Sequence, residues 1–205
     1  MFGNMKLGAK VASAFVILVL MSSIIGGIGY WGMSKLGNVV DDLGKNRMVK
    51  VQALGDISEA QTAVKSAERT LLIAGLDRTM AARQLDEIKR AWERADKAIK
   101  MYESLPITGA GKALWEKNMT AWNAWKKDHQ DFLRLNDEYV RSGYNPAILA
   151  QMQSHALDRE FRSFGEAEKI LNEMIEFNSK QAQEQMLVAD KTESTSLYIL
   201  LGVLA

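Results

Sequence analysis

Three groups of side chains have the types and spacing to hold an anion. Ser58, Thr62, Lys65 and Arg69 recur at steps of 4, 3 and 4, which puts them on one polar stripe of a helix. His155, Arg159, Arg162 and Glu166 recur at the same steps, on the face opposite Leu157, Phe161 and Phe164. Arg134, Tyr139 and Arg141 crowd the end of a third helical segment and could line a core-facing pocket there. Arginine and lysine without carboxylate partners bind carboxylates through charge-assisted hydrogen bonds. Each group is therefore a candidate site for a small organic acid or amino acid. The competing reading of each is an ordinary solvated face, with Glu59 and Glu68 beside the first group.

Catalytic and cofactor chemistry find less support. The stretch Pro106 to Lys112 ends like a phosphate loop, but Pro106 stands where the first glycine belongs and Ala113 where Ser or Thr is needed. It reads as a helix–helix turn. Neither a HExxH nor a GxSxG pattern occurs. The chain has no cysteine and only two histidines, His129 and His155, so thiolate and multi-histidine metal centres are ruled out. No metal, no cofactor and no enzymatic activity are expected. A net charge of +1 lacks the basic footprint of a nucleic-acid binder.

The elements that must position these residues are helices. Two prolines in 205 residues and few β-branched runs favour an all-α fold. The first helix carries Leu36, Val40, Leu43, Leu54, Ile57, Val64, Leu71 and Leu72 and breaks at Gly75. Asp77 caps a second, with Leu85, Ile88, Trp92, Ala95, Ile99 and Tyr102, closed by Pro106. Thr108 caps a third, with Leu114, Trp115, Met119, Trp122, Trp125, Phe132, Leu135 and Tyr139, ending at Ser142-Gly143. Asn145 and Pro146 form a cap and N1 pair that opens a fourth. Its seam reads as Leu157, Phe161, Phe164, Leu171 and Ile175, with Glu168 toward the edge.

Trp115, Trp122 and Trp125 share a face of the third helix, and Trp92 can meet them from the second; core packing is the plain account and an aromatic cage for a cation the sharper one. His129 and Asn136, seven apart on that seam, read as a buried polar pair that sets register. The architecture expected is an antiparallel up-down-up-down four-helix bundle whose first and fourth helices are continuous with transmembrane helices.

Residues 11–33 are uncharged and long enough to span a hydrocarbon core of about 30 Å. Lys6 and Lys10 precede the run, and Tyr30 and Trp31 lie near its end, as expected for a cytoplasmic start and an opposite headgroup layer. The run exceeds a signal-peptide h-region and no A-x-A-like site follows, so an uncleaved anchor is expected. Ser22 with Gly26 and Ser23 with Gly27 permit close helix–helix approach. A second apolar run, 194–205, reads as the start of a return helix whose remainder is missing. The expected order is a cytoplasmic N-terminus over 1–10, a transmembrane helix over 11–33, a periplasmic bundle over 34–193 and the truncated second transmembrane helix.

The segment MKLGAKVASAFVILVL followed by GYWGMSKLGNVVDDLGKNRMVKVQALGDI resembles the opening of methyl-accepting chemotaxis receptors with a four-helix-bundle sensor domain. Asn46, Arg47, Val51, Gln52, Ala53, Leu54 and Gly55 carry the most specific part of the likeness. The resemblance implies a homodimeric sensor in the cytoplasmic (inner) membrane, its bundle periplasmic or extracellular. It also implies an anion site in the membrane-distal half of the first helix, where Arg69 lies, and a cytoplasmic signalling hairpin. The same sensor domain occurs on histidine kinases and cyclic-dinucleotide enzymes, so the output stays open. A module that binds a ligand-loaded periplasmic protein is a further alternative.

Overall fold

The computed structural model describes residues 6–107 and 109–204. All regular structure among the described residues is helical: α1 (Leu7–Asp42), α2 (Met48–Leu71), α3 (Arg78–Glu103), α4 (Ala110–Arg141), α5 (Pro146–Leu157) and α6 (Arg159–Leu204). A π-helical turn, Leu43–Arg47, joins α1 to α2. The cap assigned to Thr108, residues 1–5 and Ala205 lie outside the described residues. The chain forms two compact units, one of residues 46–181 and one of residues 1–45 with 182–205.

In the second of these units, α1 is long and apolar enough to cross a membrane, and none of its apolar window is buried. Val11, Phe15, Leu18 and Leu20 all present their side chains outward, the reverse of a core helix. Where α1 meets the end of α6, Gly32 has no side chain for a physical reason: a Cβ there would lie 2.6 Å from Ser196 Oγ.

The unit of residues 46–181 is the antiparallel four-helix bundle. Its shafts are α2, α3, α4, and α5 with the first half of α6. Punctuation follows the residue chemistry. Asp77 caps α3 by accepting from the Thr79 and Met80 amides, and Asn145 caps α5 by accepting from the Ala147 amide, with Pro146 at N1. The core has two clusters. In the aromatic-rich one, Leu54, Ile57 and Val64 of α2 and Ala91, Ala95 and Ala98 of α3 join Trp115, Trp122 and Trp125 of α4 and Leu171 and Met174 of α6. In the second, Leu71 and Ile88 meet Phe132, Leu149 and Met152. The alanine face of α3 leaves room for the indoles. Trp92 stacks on Trp125 at 4.9 Å and meets Trp122 edge-on at 5.3 Å. These tryptophans pack as core, the plainer of the two readings.

Two expectations need correction. The fourth shaft is broken: α5 ends at Leu157, Asp158 departs from helical geometry at φ −116° and ψ −76°, and α6 starts afresh at Arg159. The seam is also displaced by one residue at its start. Leu157 and Phe161 are 71% and 56% exposed, and the buried stripe runs instead through Met152, Ala156, Glu160, Phe164, Ala167, Leu171 and Met174. That stripe keeps the 4- and 3-residue spacing of a bundle helix. Following large apolar residues missed it, because its pivotal member is a carboxylate with a buried lysine to face.

Trp125 is fully buried at the centre of the cluster. Trp125→Ala is expected to lower the unfolding free energy by about 3–5 kcal/mol, measured by urea denaturation of the detergent-solubilised chain followed by circular dichroism.

Candidate functional site

Two polar features stand out inside the bundle. The first is a buried quartet. Lys65 and Glu68 lie one turn apart on α2, His129 comes from α4 and Glu160 from the start of α6. Lys65 Nζ is 3.4 Å from Glu68 Oε2 and 3.4 Å from Glu160 Oε2, so one ammonium bridges two carboxyl groups. His129 Nδ1 lies 2.5 Å from Glu68 Oε1. Apolar and aromatic groups close the space: Trp92 approaches the His129 ring at 5.1 Å, and the Phe164 ring lies 5.9 Å from the lysine ammonium.

Burial sets the charge state of this quartet. It pushes the Glu160 carboxyl up from 4.5 to about 8, helped by the contact with Glu68 and opposed by Lys65 and His129. It also raises Glu68, whose contacts with Glu160 and Lys65 pull the other way. Burial lowers His129 from 6.5 to about 4, opposed by Glu160 and reinforced by Lys65 and Lys126. At neutral pH the imidazole is therefore neutral, and its Nδ1–H donates to Glu68. Its Nε2 and both Glu160 oxygens are buried with no hydrogen-bond partner of ordinary geometry.

The second feature is a cleft of about 820 Å³ at the far end of the bundle, under the α2–α3 and α4–α5 turns. Its wall is made by turn chemistry. Gly143, at φ +71°, ends α4, with the Gly143 amide donating to the Val140 carbonyl and the Tyr144 amide to the Tyr139 carbonyl. This is a Schellman closure. Tyr144 is held at φ +67°, a sparsely populated conformation for a residue with a side chain. Its ring meets that of Tyr139 edge-on at 5.3 Å, and the Arg78 guanidinium sits 5.3 Å over it. Leu71, Leu76, Leu85 and Leu149 supply an apolar floor. Asn136 lines the same cleft and is 95% buried, since only 5% of its surface is exposed. Its side chain carries both an acceptor carbonyl and a donor amino group.

The three expected clusters are distributed as follows. Lys65 leaves the polar stripe for the core, whereas Thr62 and Arg69 stay exposed and Ser58 half-buried. His155 is half-buried, its Nε2 donating to the Asp128 carbonyl at 2.8 Å. Arg159 bonds Asp128 at 2.8 Å and lies 3.8 Å from Asp131, and Arg162 pairs with Asp158. Tyr139 faces the far-end cleft, while Arg134 and Arg141 border a separate surface groove with Asp137 and Glu138. His129 and Asn136 are both buried but do not pair with each other: the first bonds Glu68, the second lines the cleft.

Glu160, Arg78, Tyr144 and the participation of Glu68 are the residues that sequence reasoning missed. A signal for Glu160 existed in the 4- and 3-residue steps from Met152 to Phe164, which pass through it.

The quartet ties stability to pH. Between pH 4.5 and 8 the folded chain keeps a Glu160 proton that the unfolded chain releases, so stability falls as pH rises through that window. Between pH 4 and 6.5 the unfolded chain holds a His129 proton that the folded chain lacks, so stability there rises with pH. The two oppose each other until His129 drops out, and the carboxyl effect then stands alone. From pH 6.5 to 8 in chelator-treated buffer, the unfolding free energy is expected to fall by about 1–2 kcal/mol. Glu160→Gln is expected to flatten that slope.

Comparison with known proteins agrees with this architecture. The family model described as a four-helix-bundle sensory module for signal transduction matches residues 4–192. No curated protein and no solved structure matches the chain. The family match takes in the apolar helix α1 and every shaft of the bundle. The chain belongs to the family of four-helix-bundle sensory modules for signal transduction.

Proposed function

We propose that the chain is the sensor portion of a transmembrane chemoreceptor, and that its far-end cleft takes a small carboxylate with an apolar body, either an organic acid or an amino acid. One observation carries this reading: a sizeable cleft combines an apolar floor, the buried Asn136 in its lining and a guanidinium, Arg78, at its tyrosine wall. Ligand sites of this size are mostly apolar with a few well-placed polar groups. Arg78 meets the carboxylate, Asn136 a second polar group, and the leucines the ligand's body.

The cleft lies where the signal can enter the shafts. Its walls include the α2–α3 turn and the head of α5, and α6 follows α5 after a single residue. A ligand that binds one packing of α5 and α6 against α2 better than another shifts that equilibrium by its differential affinity. A small displacement of α6 relative to α2 is the kind of switch that long helices support. In this reading α1 anchors the module in the cytoplasmic membrane with the bundle outside, and a homodimer carries the displacement inward. The output is chemotaxis signalling, with a histidine kinase or cyclic-dinucleotide enzyme as the alternatives. The arginine groups at Arg69, at His155, Arg159 and Arg162, and at Arg134 and Arg141 stand as secondary candidate sites on the bundle surface.

Titration calorimetry of the detergent-solubilised chain against aromatic organic acids and amino acids with apolar side chains tests the assignment. One class is expected to bind saturably, with affinity falling about 10–100-fold in Arg78→Ala. Absence of heat with every compound, or binding indifferent to Arg78→Ala and Tyr144→Ala, overturns it. Capture of a periplasmic protein without small-molecule binding would turn the reading to an indirect sensor.

A further inference from the structure

The far-end cleft leaves the buried quartet without a role in ligand recognition. Glu68, His129 and Glu160 each place one donor atom within 4.8 Å of the other two, and all three residues are buried. They come from three different helices, α2, α4 and α6, so their convergence is a property of the fold and of no local run. One imidazole and two carboxylates form a donor set that suits zinc and neighbouring first-row divalent ions. Tetrahedral bonds of about 2.0–2.2 Å require donors about 3.3–3.6 Å apart, so a modest inward shift of side chains closes the set.

Two independent observations point to a ligand. His129 Nε2 is buried with no hydrogen-bond partner. The buried Glu160 oxygens have only the Lys65 ammonium at 3.4 Å and the Glu68 carboxyl beside them, with no hydrogen bond of ordinary geometry, a costly arrangement for polar atoms in a core. Moreover, the quartet already gathers around a cation, because the Lys65 ammonium lies 3.4 Å from each carboxyl group. A divalent ion carries enough charge to hold both carboxyl groups ionised, and the proton on one of them leaves as the ion binds. Lysine is also the one member with a long flexible stem, so it can withdraw while the backbone stays in place.

We propose that Glu68, His129 and Glu160 bind a divalent transition-metal ion of the zinc class inside the bundle, with Lys65 occupying the cation position in the metal-free protein. The ion joins α2, α4 and α6 at one point and so fixes their relative register. A water or a small anionic ligand completes the tetrahedron. The charge of Lys65 is then in excess, and its ammonium moves away from the carboxylates.

The test uses the full chain in detergent, stripped with a chelator and titrated with Zn²⁺ by calorimetry. Co²⁺ serves as a spectroscopic probe, since a four-coordinate site shows intense visible d–d bands. The wild-type chain is expected to bind one ion per chain saturably and to melt at a higher temperature when loaded. His129→Gln and Glu160→Gln are each expected to weaken binding by at least about tenfold. Lys65→Met, which removes the competing cation and keeps the side-chain length, is expected to bind more tightly than wild type by a similar factor. Arg78→Ala, in the far-end cleft, is expected to leave the titration unchanged. No saturable binding to the wild type overturns the proposal. So does binding unaltered by both glutamine variants, which would place the ion on surface carboxylates, and so does a Lys65→Met chain that binds no better than wild type.

Discussion

The bundle depends on one constraint: four ionisable side chains share a space closed to bulk solvent, and none can be there alone. Lys65, Glu68, His129 and Glu160 are all at least 95% buried, with exposures of 4%, 0%, 3% and 0%. Removing one partner from such a group leaves uncompensated charge in the core, a loss of about 3–5 kcal/mol. Because the members come from three shafts, sliding any one helix by a turn would separate them. Apolar packing tolerates shifted registers far better, since leucine against leucine has little preference among them. The quartet therefore favours the alignment of α2, α4 and α6 in which all four side chains meet.

The aromatic cluster is built around that point and has the complementary property. Trp92 contacts both Trp125 and the His129 ring, so the indoles adjoin the charged groups directly. They keep water out and sharpen the electrostatics inside, and the same exclusion holds His129 neutral and one carboxyl protonated. Beyond them the bundle opens. At the far end the leucines of the core reach the floor of a cleft that no side chain fills, under a tyrosine wall held by the Schellman closure. The centre of the bundle is densely packed, and the gap lies at the turns.

Much of this was legible in the residues. The apolar run over 11–33, the caps at Asp77 and Asn145-Pro146, the glycine stop after α4 and the tryptophan seam each rest on a local rule, and the structure follows them. The failures share a cause. Leu157 and Phe161 were expected in the seam because they are large and apolar, yet they face outward while Ala156 and Glu160 face inward. Lys65 was grouped with Arg69 by spacing, but a helix one step wider on its buried side takes Lys65 into the core and leaves Arg69 out. Whether a charged residue at the boundary of a stripe is inside depends on what the opposite helix presents to it.

Local chemistry and periodicity by themselves determined the helical class, the order of the shafts, the caps at Asp77 and Asn145 and the membrane-length run, because caps, turns and 3.6-residue spacing act within a few residues of sequence. Only the tertiary structure decided that Lys65, Glu68, His129 and Glu160 meet, and that Arg78, Asn136, Tyr139 and Tyr144 border one cleft. Those residues are separated by up to 95 positions along the chain, counting from Lys65 to Glu160. Their meeting is a pairwise balance of desolvation against partnership across different helices, and no single helix carries the information to strike it.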